Sequence, residues 1–512
     1  MKKIYNQRFF SLLSTFLLVF FCSSFWVKAQ NKPNVVFIYA DDLGYGDVSC
    51  YGATKIMTPN IDALAKKGVL FTNAHTTSAT CTPSRYSLLT GRYAWRRDDT
   101  GIAPGDSPLL IDTAHTTLPE IFQKAGYKTA VIGKWHLGLG NHNGQDWNGE
   151  IKPGPLEVGF DYSYIMAATL DRVPTVFIEQ HKILNLERHD PISVNYQKKI
   201  GDDPTGFENP ELLRIRLSNG HANTIVNGIS RIGWMKGGYK ARWIDQNIAD
   251  TITNKAVNYI KQNKNTPFFL YFASGDPHVP RDPHPRFVGK SGMGPRGDAI
   301  LQLDWSVGEI VKVIEQQDLT NNTIIIFTSD NGPVLDDGYV DDALRLAREK
   351  NHNPAGKFKG GKYSIYEAGT RVPFIISWPG KVDQGKKSKA LLSQIDMSAS
   401  FADYLNVQIK ADQIIDSENH IKAYLHKIKK GRKILIEDAG TLAIVKGNWK
   451  YIVPSNKPSY DAFVDIQLGN SPKPQLYNLK QDPTEENNLA DKYPAKVLEL
   501  ANKLEAIKNV KQ

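Results

Sequence analysis

Four apolar, β-branched or aromatic runs stand out along the chain, and each gives way to charged or polar residues. Val35-Val36-Phe37-Ile38-Tyr39-Ala40 runs into Asp41-Asp42, and Thr129-Ala130-Val131-Ile132-Gly133 into Lys134-Trp135-His136. Phe268-Phe269-Leu270-Tyr271-Phe272 leads to His278, and Thr323-Ile324-Ile325-Ile326-Phe327 to Asp330-Asn331. Short continuous runs of this kind read as buried strands. Helical signatures lie between them, for example Thr58-Pro59-Asn60-Ile61-Asp62-Ala63-Leu64, with Thr58 as N-cap, Pro59 in the first turn and Gly68 as the stop.

Strands alternating with helices predict an α/β fold with a mostly parallel sheet. Ligands of such sheets bind beyond the carboxyl ends of the strands, so the four polar clusters should converge there. The texture changes near residue 385. Ile434-Leu435-Ile436, Leu442 to Val445 and Trp449-Lys450-Tyr451-Ile452 read as short strands, the last two joined by a Gly447-Asn448 turn, which predicts a small antiparallel sheet. The long stretch from Tyr162 to Arg242 reads as irregular, and loops of that length inside a compact enzyme are usually functional. It carries Asp171-Arg172, Arg188-His189-Asp190 and a Trp234 to Trp243 segment rich in Gly, Lys and Arg, groups suited to sugar hydroxyls and stacking.

Residues 1–29 read as a secretory signal: Lys2, Lys3 and Arg8 form a basic start, Phe9 to Phe25 is largely apolar, and Val27-Lys28-Ala29 fits a cleavage site. The expected division is therefore 1–29 signal, 30–385 catalytic α/β domain and 386–512 C-terminal subdomain. No later stretch is long enough to span a bilayer, so the expectation is an exported protein, periplasmic or secreted, with no stable membrane insertion after cleavage. Losing four basic and no acidic residues with the signal lowers the formal charge from +10 to +6. That modest excess favours anionic over neutral polymers, with a solvated surface as the default explanation, and no basic block or aromatic stacking pattern marks a nucleic-acid binder. Only Cys50 and Cys81 remain, so no disulfide framework supports the fold, and 41% hydrophobic content over this length must supply the core.

Asp41, Asp42, Asp330 and Asn331 offer oxygen alone, which points to a hard cation, Ca²⁺ or Mg²⁺. His136 and His278 supply proton chemistry near neutral pH. Arg85, Lys134 and Lys362 are candidates for preorganised positive charge. Arg85 follows Cys81 by one helical turn, so both can project from one helix terminus, a favourable place for an anion. His142, His221 and His352 read as loop histidines, with His221 or His352 as possible substrate contacts.

The run Cys81-Thr82-Pro83-Ser84-Arg85-Tyr86-Ser87-Leu88-Leu89-Thr90-Gly91-Arg92 resembles the sulfatase signature. Gly133-Lys134-Trp135-His136-Leu137-Gly138 matches a second family motif, and Asp276-Pro277-His278-Val279-Pro280 a third. The segment Gly360 to Arg371 is similar to the family's Gly-Lys segment, with Ala368 where Gly is common, and Gln475-Leu476-Tyr477-Asn478-Leu479 with Asp482-Pro483 resembles its closing motif. The resemblance implies an alkaline-phosphatase-like α/β/α sandwich with a small C-terminal antiparallel subdomain. It also implies that a maturation enzyme oxidises Cys81 to formylglycine, whose hydrated aldehyde is the nucleophile, and that residue 81 joins Asp41, Asp42, Asp330 and Asn331 around Ca²⁺.

In such an enzyme His136 takes a proton as the aldehyde re-forms, Asp330 assists the attacking hydroxyl, and His278 with Lys362 protonates the leaving alcohol. The implied substrate is a sulfated carbohydrate, with single sulfates on galactose or N-acetylgalactosamine favoured. A phosphate or phosphonate monoester hydrolase of the same superfamily and a non-catalytic binder of sulfated glycans are the rival expectations.

Overall fold

The computed structural model describes residues 32–410 and 412–510. The signal reading of residues 1–29 lies outside them. The four predicted strands form Asn34–Ala40, Lys128–Lys134, Phe268–Ala273 and Thr323–Ser329, and with Tyr162–Met166 they make a run of five parallel strands. Their order is Thr323–Ser329, Asn34–Ala40, Phe268–Ala273, Lys128–Lys134, Tyr162–Met166. Phe374–Ser377 and Gly68–Phe71 extend one side antiparallel, with Lys386–Ser388 outermost, and Phe177–Glu179 and Lys182–Ile183 extend the other, completing ten strands.

Period-two alternation sorts the central strands between two cores. Val35, Phe37 and Tyr39 pack with Leu88, Leu89, Phe122 and Phe401, from helices Cys81–Thr90, Leu118–Lys124 and Met397–Tyr404. Val36, Ile38 and Ala40 face the opposite layer, where Ile61, Ile252, Ile260, Leu303 and Val307 come from helices Pro59–Lys67, Ile248–Gln262 and Gly294–Gln316. This is the expected α/β/α sandwich. The register is what matters for the site: Tyr39 pairs with Ala273, Ala40 with Ser329, and Ala273 with Gly133, so the strands end level with one another. Gly133 is required there, because a Cβ would lie 1.9 Å from the carbonyl oxygen of Ala273.

Two expectations are corrected in detail. Thr58 precedes Pro59–Lys67 but its side chain does not cap the helix; it bonds Ser49 and Asp62 instead. The free amides of Asn60 and Ile61 donate to Asp304 of Gly294–Gln316, so a carboxylate from a neighbouring helix does the capping. The stretch from Tyr162 to Arg242 is also less irregular than read, since its first part supplies three strands to the sheet and Ser193–Asn195 pairs with Trp234–Lys236. Most of these strands are two or three residues long, too short to show a period.

The predicted antiparallel sheet consists of Ile434–Asp438, Leu442–Lys446, Trp449–Ile452 and Gln475–Asn478, and Lys446 opposite Trp449 leaves Gly447 and Asn448 as the two-residue turn. It is joined to the segments that flank strands Gly68–Phe71 and Phe374–Ser377 of the large sheet by a buried charge cluster. Lys450 Nζ lies 3.0 Å from Glu437, 3.2 Å from Glu367 and 3.4 Å from Glu485. His75 bonds Glu437 at 2.8 Å, and Arg371 bonds Glu367 at 2.8 Å. Burial raises Glu485 to about 8, whereas Lys450 and His75 overcome the burial of Glu437 and hold it at about 2. The ammonium thus occupies the centre of three carboxylates. Lys450→Met should destabilise the protein by about 3–5 kcal/mol, because it leaves buried carboxylates without their counter-charge. Denaturant unfolding checks this, and a loss below about 1 kcal/mol would show that the cluster is not the joint between the sheets.

Candidate active site

Asp41 and Asp42 follow strand Asn34–Ala40 directly, Asp330 and Asn331 follow Thr323–Ser329, and Lys134 closes Lys128–Lys134. Cys81 opens helix Cys81–Thr90 and Lys362 arrives on the segment after Gly360. All of them are buried, as are Arg85, His136 and His278. The structure therefore brings every residue singled out by the motifs to the carboxyl ends of the parallel strands.

Lys134 Nζ contacts Asp41 Oδ2 at 2.6 Å and lies 3.9 Å from Asp330 Oδ2. Arg85 grips Asp330 Oδ2 through Nε at 3.0 Å and Nη2 at 2.8 Å, so its guanidinium fixes that carboxylate. Asn331 Nδ2 donates to Asp42 Oδ1 at 2.7 Å, and Lys362 Nζ contacts Asp42 Oδ2 at 2.9 Å. His278 Nδ1 donates to the carbonyl of Val279 at 2.6 Å, which leaves Nε2 as the acceptor 3.3 Å from Lys362 Nζ. His136 Nε2 donates to the carbonyl of Ala103 at 2.9 Å, so its buried Nδ1 carries a lone pair, and no hydrogen-bond partner engages it.

The electrostatics follow from packing these charges together. Burial and the neighbouring Asp330 push Asp41 well above the carboxylate range. Burial acts the same way on Asp42, but Lys362, His278 and Lys134 outweigh it and hold that carboxyl low. Burial and Lys134 keep His136 neutral, and burial and Lys362 lower His278 to about 4. Burial also raises the Cys81 thiol, which is therefore protonated at neutral pH and is not poised as a thiolate nucleophile. Asp42, His136 and Tyr363 hold positive φ angles of 60°, 55° and 72°. Such strain in non-glycine residues concentrates at functional sites.

The donor set fits a hard cation. Asp41 Oδ1 and Asn331 Oδ1 are buried without a hydrogen-bond partner, and Asp41, Asp42 and His278 present ligand atoms within 4.8 Å of one another. Unpartnered buried oxygens beside clustered carboxylates are costly unless a positive charge serves them. A second cluster, His75, Glu367 and Glu437, has comparable spacing, but the ammonium of Lys450 already fills it.

One neighbour was not legible as a site residue. Asp337 contacts Lys362 at 2.9 Å and accepts from the Tyr363 hydroxyl at 3.3 Å, with nothing around Asp336-Asp337-Gly338 to mark it in the sequence. Arg172 lies near enough for its charge to act on both Cys81 and His136, and it bonds Asp171, which accepts from His221 Nε2 at 2.9 Å. His221 is thus drawn toward the site. His352 is not: it is buried against Asp47 at 2.9 Å, while His142 is exposed. Ala368 is accommodated because it sits in a helical turn, Glu367–Thr370, where no left-handed backbone is needed. A cavity of about 640 Å³ lies beside Thr80, Pro83 and Tyr363 and is walled opposite by the turn Asp438 to Leu442, so the small sheet reaches the surroundings of Cys81.

Asp47 braces the chain that follows Asp42. Arg296 bonds it twice, at 2.6 and 2.7 Å, and it accepts from the Gly44 amide at 2.8 Å. Burial opposes ionisation, but Arg296 and His352 hold its carboxyl at about 2, below the usual carboxylate range. A depressed carboxylate stabilises above its unfolded pKa and loses that contribution as pH falls through its folded one. The pH-dependent part of the stability difference between wild type and Asp47→Asn should therefore be about 2 kcal/mol at pH 6 and shrink between about pH 4 and pH 2. Denaturant titrations across that range measure it, and a flat difference would contradict the assignment.

Carboxylates, lysines and histidines gathered around a helix terminus define a hydrolase of anionic esters. The sulfatase family model matches residues 33–407, and the chain belongs to the sulfatase family, whose members hydrolyse sulfate esters. It is similar to an N-acetylgalactosamine-6-O-sulfatase of Bacteroides thetaiotaomicron, with 55% identity over 481 residues covering 94% of each chain. It is 32% identical to human steryl-sulfatase over 79% of this chain and 71% of that one. A solved structure from a study of glycosaminoglycan metabolism by Bacteroides thetaiotaomicron superposes with a TM-score of 0.92 at 55% identity, covering 94% of this chain and all of that one. A phosphonate monoester hydrolase of Agrobacterium radiobacter shares the fold at 18% identity, with a TM-score of 0.56 and coverage of 93% and 95%.

Proposed function

We propose that this sulfatase removes the 6-O-sulfate from N-acetylgalactosamine residues of sulfated glycans. The observation that carries the reading is the 55% identity, over nearly the whole of both chains, to a relative named for that activity. Arg172 and His221 support it, because Asp171 bonds both and so holds a guanidinium and an imidazole beside the reacting centre, groups suited to sugar hydroxyls. Export through the N-terminal signal and encounter with a formylglycine-generating enzyme belong to the same reading.

Asp41, Asp42, Asp330 and Asn331 would hold Ca²⁺, with residue 81 as a further ligand. When bound, the cation neutralises charge on the sulfuryl group, and formylglycine made from Cys81 supplies the hydroxyl nucleophile. Lys134 stands against Asp41 and adds positive charge at the sulfuryl oxygens. Arg85 holds one oxygen of Asp330 and the Asp42 amide donates to the other at 3.2 Å, which fixes the carboxylate assigned to assist the attacking hydroxyl. The Nδ1 lone pair of His136 is the buried base available to take a proton at residue 81. His278 and Lys362 serve the leaving oxygen. The bond from sulfur to the sugar oxygen breaks, its electron pair stays on that oxygen, and the alkoxide takes its proton from the Lys362 ammonium, which faces the acceptor Nε2 of His278; without that proton the alkoxide is a poor leaving group.

Release of sulfate should be fastest from 6-sulfated N-acetylgalactosamine in a panel containing the 4-sulfate, 6-sulfated N-acetylglucosamine and a phosphate monoester, and Cys81→Ala should release none. Preference for the phosphate ester would favour the phosphohydrolase, and binding without turnover in fully matured protein the glycan binder. For the cation, adding calcium to chelator-treated protein at about 100 times its Kd should stabilise by about 2.7 kcal/mol. Asp41→Ala should remove that gain, and a gain that survives the substitution would place the ion elsewhere.

A further inference from the structure

Lys362 is held between two carboxylates, and only one of them belongs to the oxygen cluster. Asp42 Oδ2 and Asp337 Oδ2 each lie 2.9 Å from its Nζ, which also stands 3.3 Å from His278 Nε2. If Asp42 gives an oxygen to a cation, its hold on Lys362 is shared with that ion. Asp337 is bonded to Lys362 and to the hydroxyl of Tyr363, the residue next to it in sequence and one held at a strained φ of 72°. A long lysine side chain has much rotamer freedom to lose, so fixing its ammonium beside one nitrogen requires a dedicated partner.

The turn that carries Asp337 is itself fastened to the long stretch between Tyr162 and Arg242, an insertion between strand Tyr162–Met166 and helix Ile248–Gln262. Ser218 Oγ donates to Asp336 at 2.6 Å, the Ser218 amide donates to the Gly338 carbonyl at 3.1 Å, and the Val340 amide donates to the Arg216 carbonyl at 2.9 Å. Tyr339 donates its hydroxyl to the Ser230 carbonyl at 2.7 Å. Gly338, at a φ of 100°, lets the ring of His221 rest directly on the turn; a Cβ there would lie 2.1 Å from its Nδ1. The segment that brings His221 to Asp171 therefore also sets the position of Asp337.

We propose that Asp337 is a positioning residue that holds Lys362 at the leaving oxygen beside His278, and that the insertion's seat on residues 336–340 keeps it there. The proposal rests on the reading of His278 and Lys362 as the leaving-group pair. Its consequence is specific to the leaving group. A sugar alkoxide needs the pair, whereas 4-nitrophenolate departs without much help. Asp337→Asn keeps the shape and the acceptor for Tyr363 but removes the charge opposite Lys362.

The test compares wild type and Asp337→Asn on the best sugar sulfate of the panel and on 4-nitrophenyl sulfate. Substrate affinity is measured separately in the Cys81→Ala background. Asp337→Asn should lower kcat on the sugar sulfate roughly tenfold to a hundredfold and on the aryl sulfate less than about threefold. Affinity of Cys81→Ala for the sugar sulfate should change less than about threefold when Asp337→Asn is added. Equal losses on both substrates, a loss confined to affinity, or no loss would each overturn the proposal. Wild type that turns over aryl sulfates but no sugar sulfate would instead overturn the functional reading beneath it.

Discussion

Three carboxylates forced into a dry pocket at the ends of parallel strands are the constraint around which this protein is organised. Asp41, Asp42 and Asp330 show no solvent exposure, and like charges so placed repel one another and cannot draw on water. The fold answers with Lys134, Lys362 and Arg85, each bonded to one of them. The balance is incomplete: one oxygen of Asp41 and one of Asn331 keep no hydrogen-bond partner, the condition expected of a place kept for a cation. Such an arrangement is expensive to fold, and the large apolar cores on both faces of the sheet are what sustain it.

Level strand ends make the convergence possible. Because Tyr39 pairs with Ala273, Ala273 with Gly133 and Ala40 with Ser329, the strands end within one residue of the same height, and four stretches distant in sequence become one pocket. The helix opening at Cys81 closes it from the side. The same logic explains the supports. Asp47 with Arg296 and His352 pins the chain after Asp42, Arg85 pins Asp330, and the Lys450 cluster ties the second sheet to Glu367, five residues beyond Lys362.

Much of this was legible in the sequence. The central strands are long and uniformly apolar, so their existence and their polar exits were visible together, and the Cys81 to Arg92 run carried the family with it. The Gly447-Asn448 turn likewise announced its hairpin. What escaped was set by tertiary contact. Asp337 is one acidic residue in an acidic loop, and only its distance to Lys362 gives it a role. His352 looked like a candidate for substrate but is spent on Asp47, and Thr58 lost its capping role to Asp304, a residue far away in the chain. The buried ion cluster draws His75, Glu367, Glu437, Lys450 and Glu485 from five segments, none of which has a local pattern to betray it.

The central proposal is that residue 81 does the chemistry only after oxidation to formylglycine; as a thiol it is buried among Asp41, Asp330, Lys134 and Lys362, and burial raises its pKa. The most direct measurement sets the fraction of Cys81 converted to formylglycine, read by mass spectrometry of the peptide that contains it, against specific activity in preparations matured to different extents. The account predicts a straight line through the origin. Substantial sulfate release from protein whose Cys81 is wholly unconverted would contradict it.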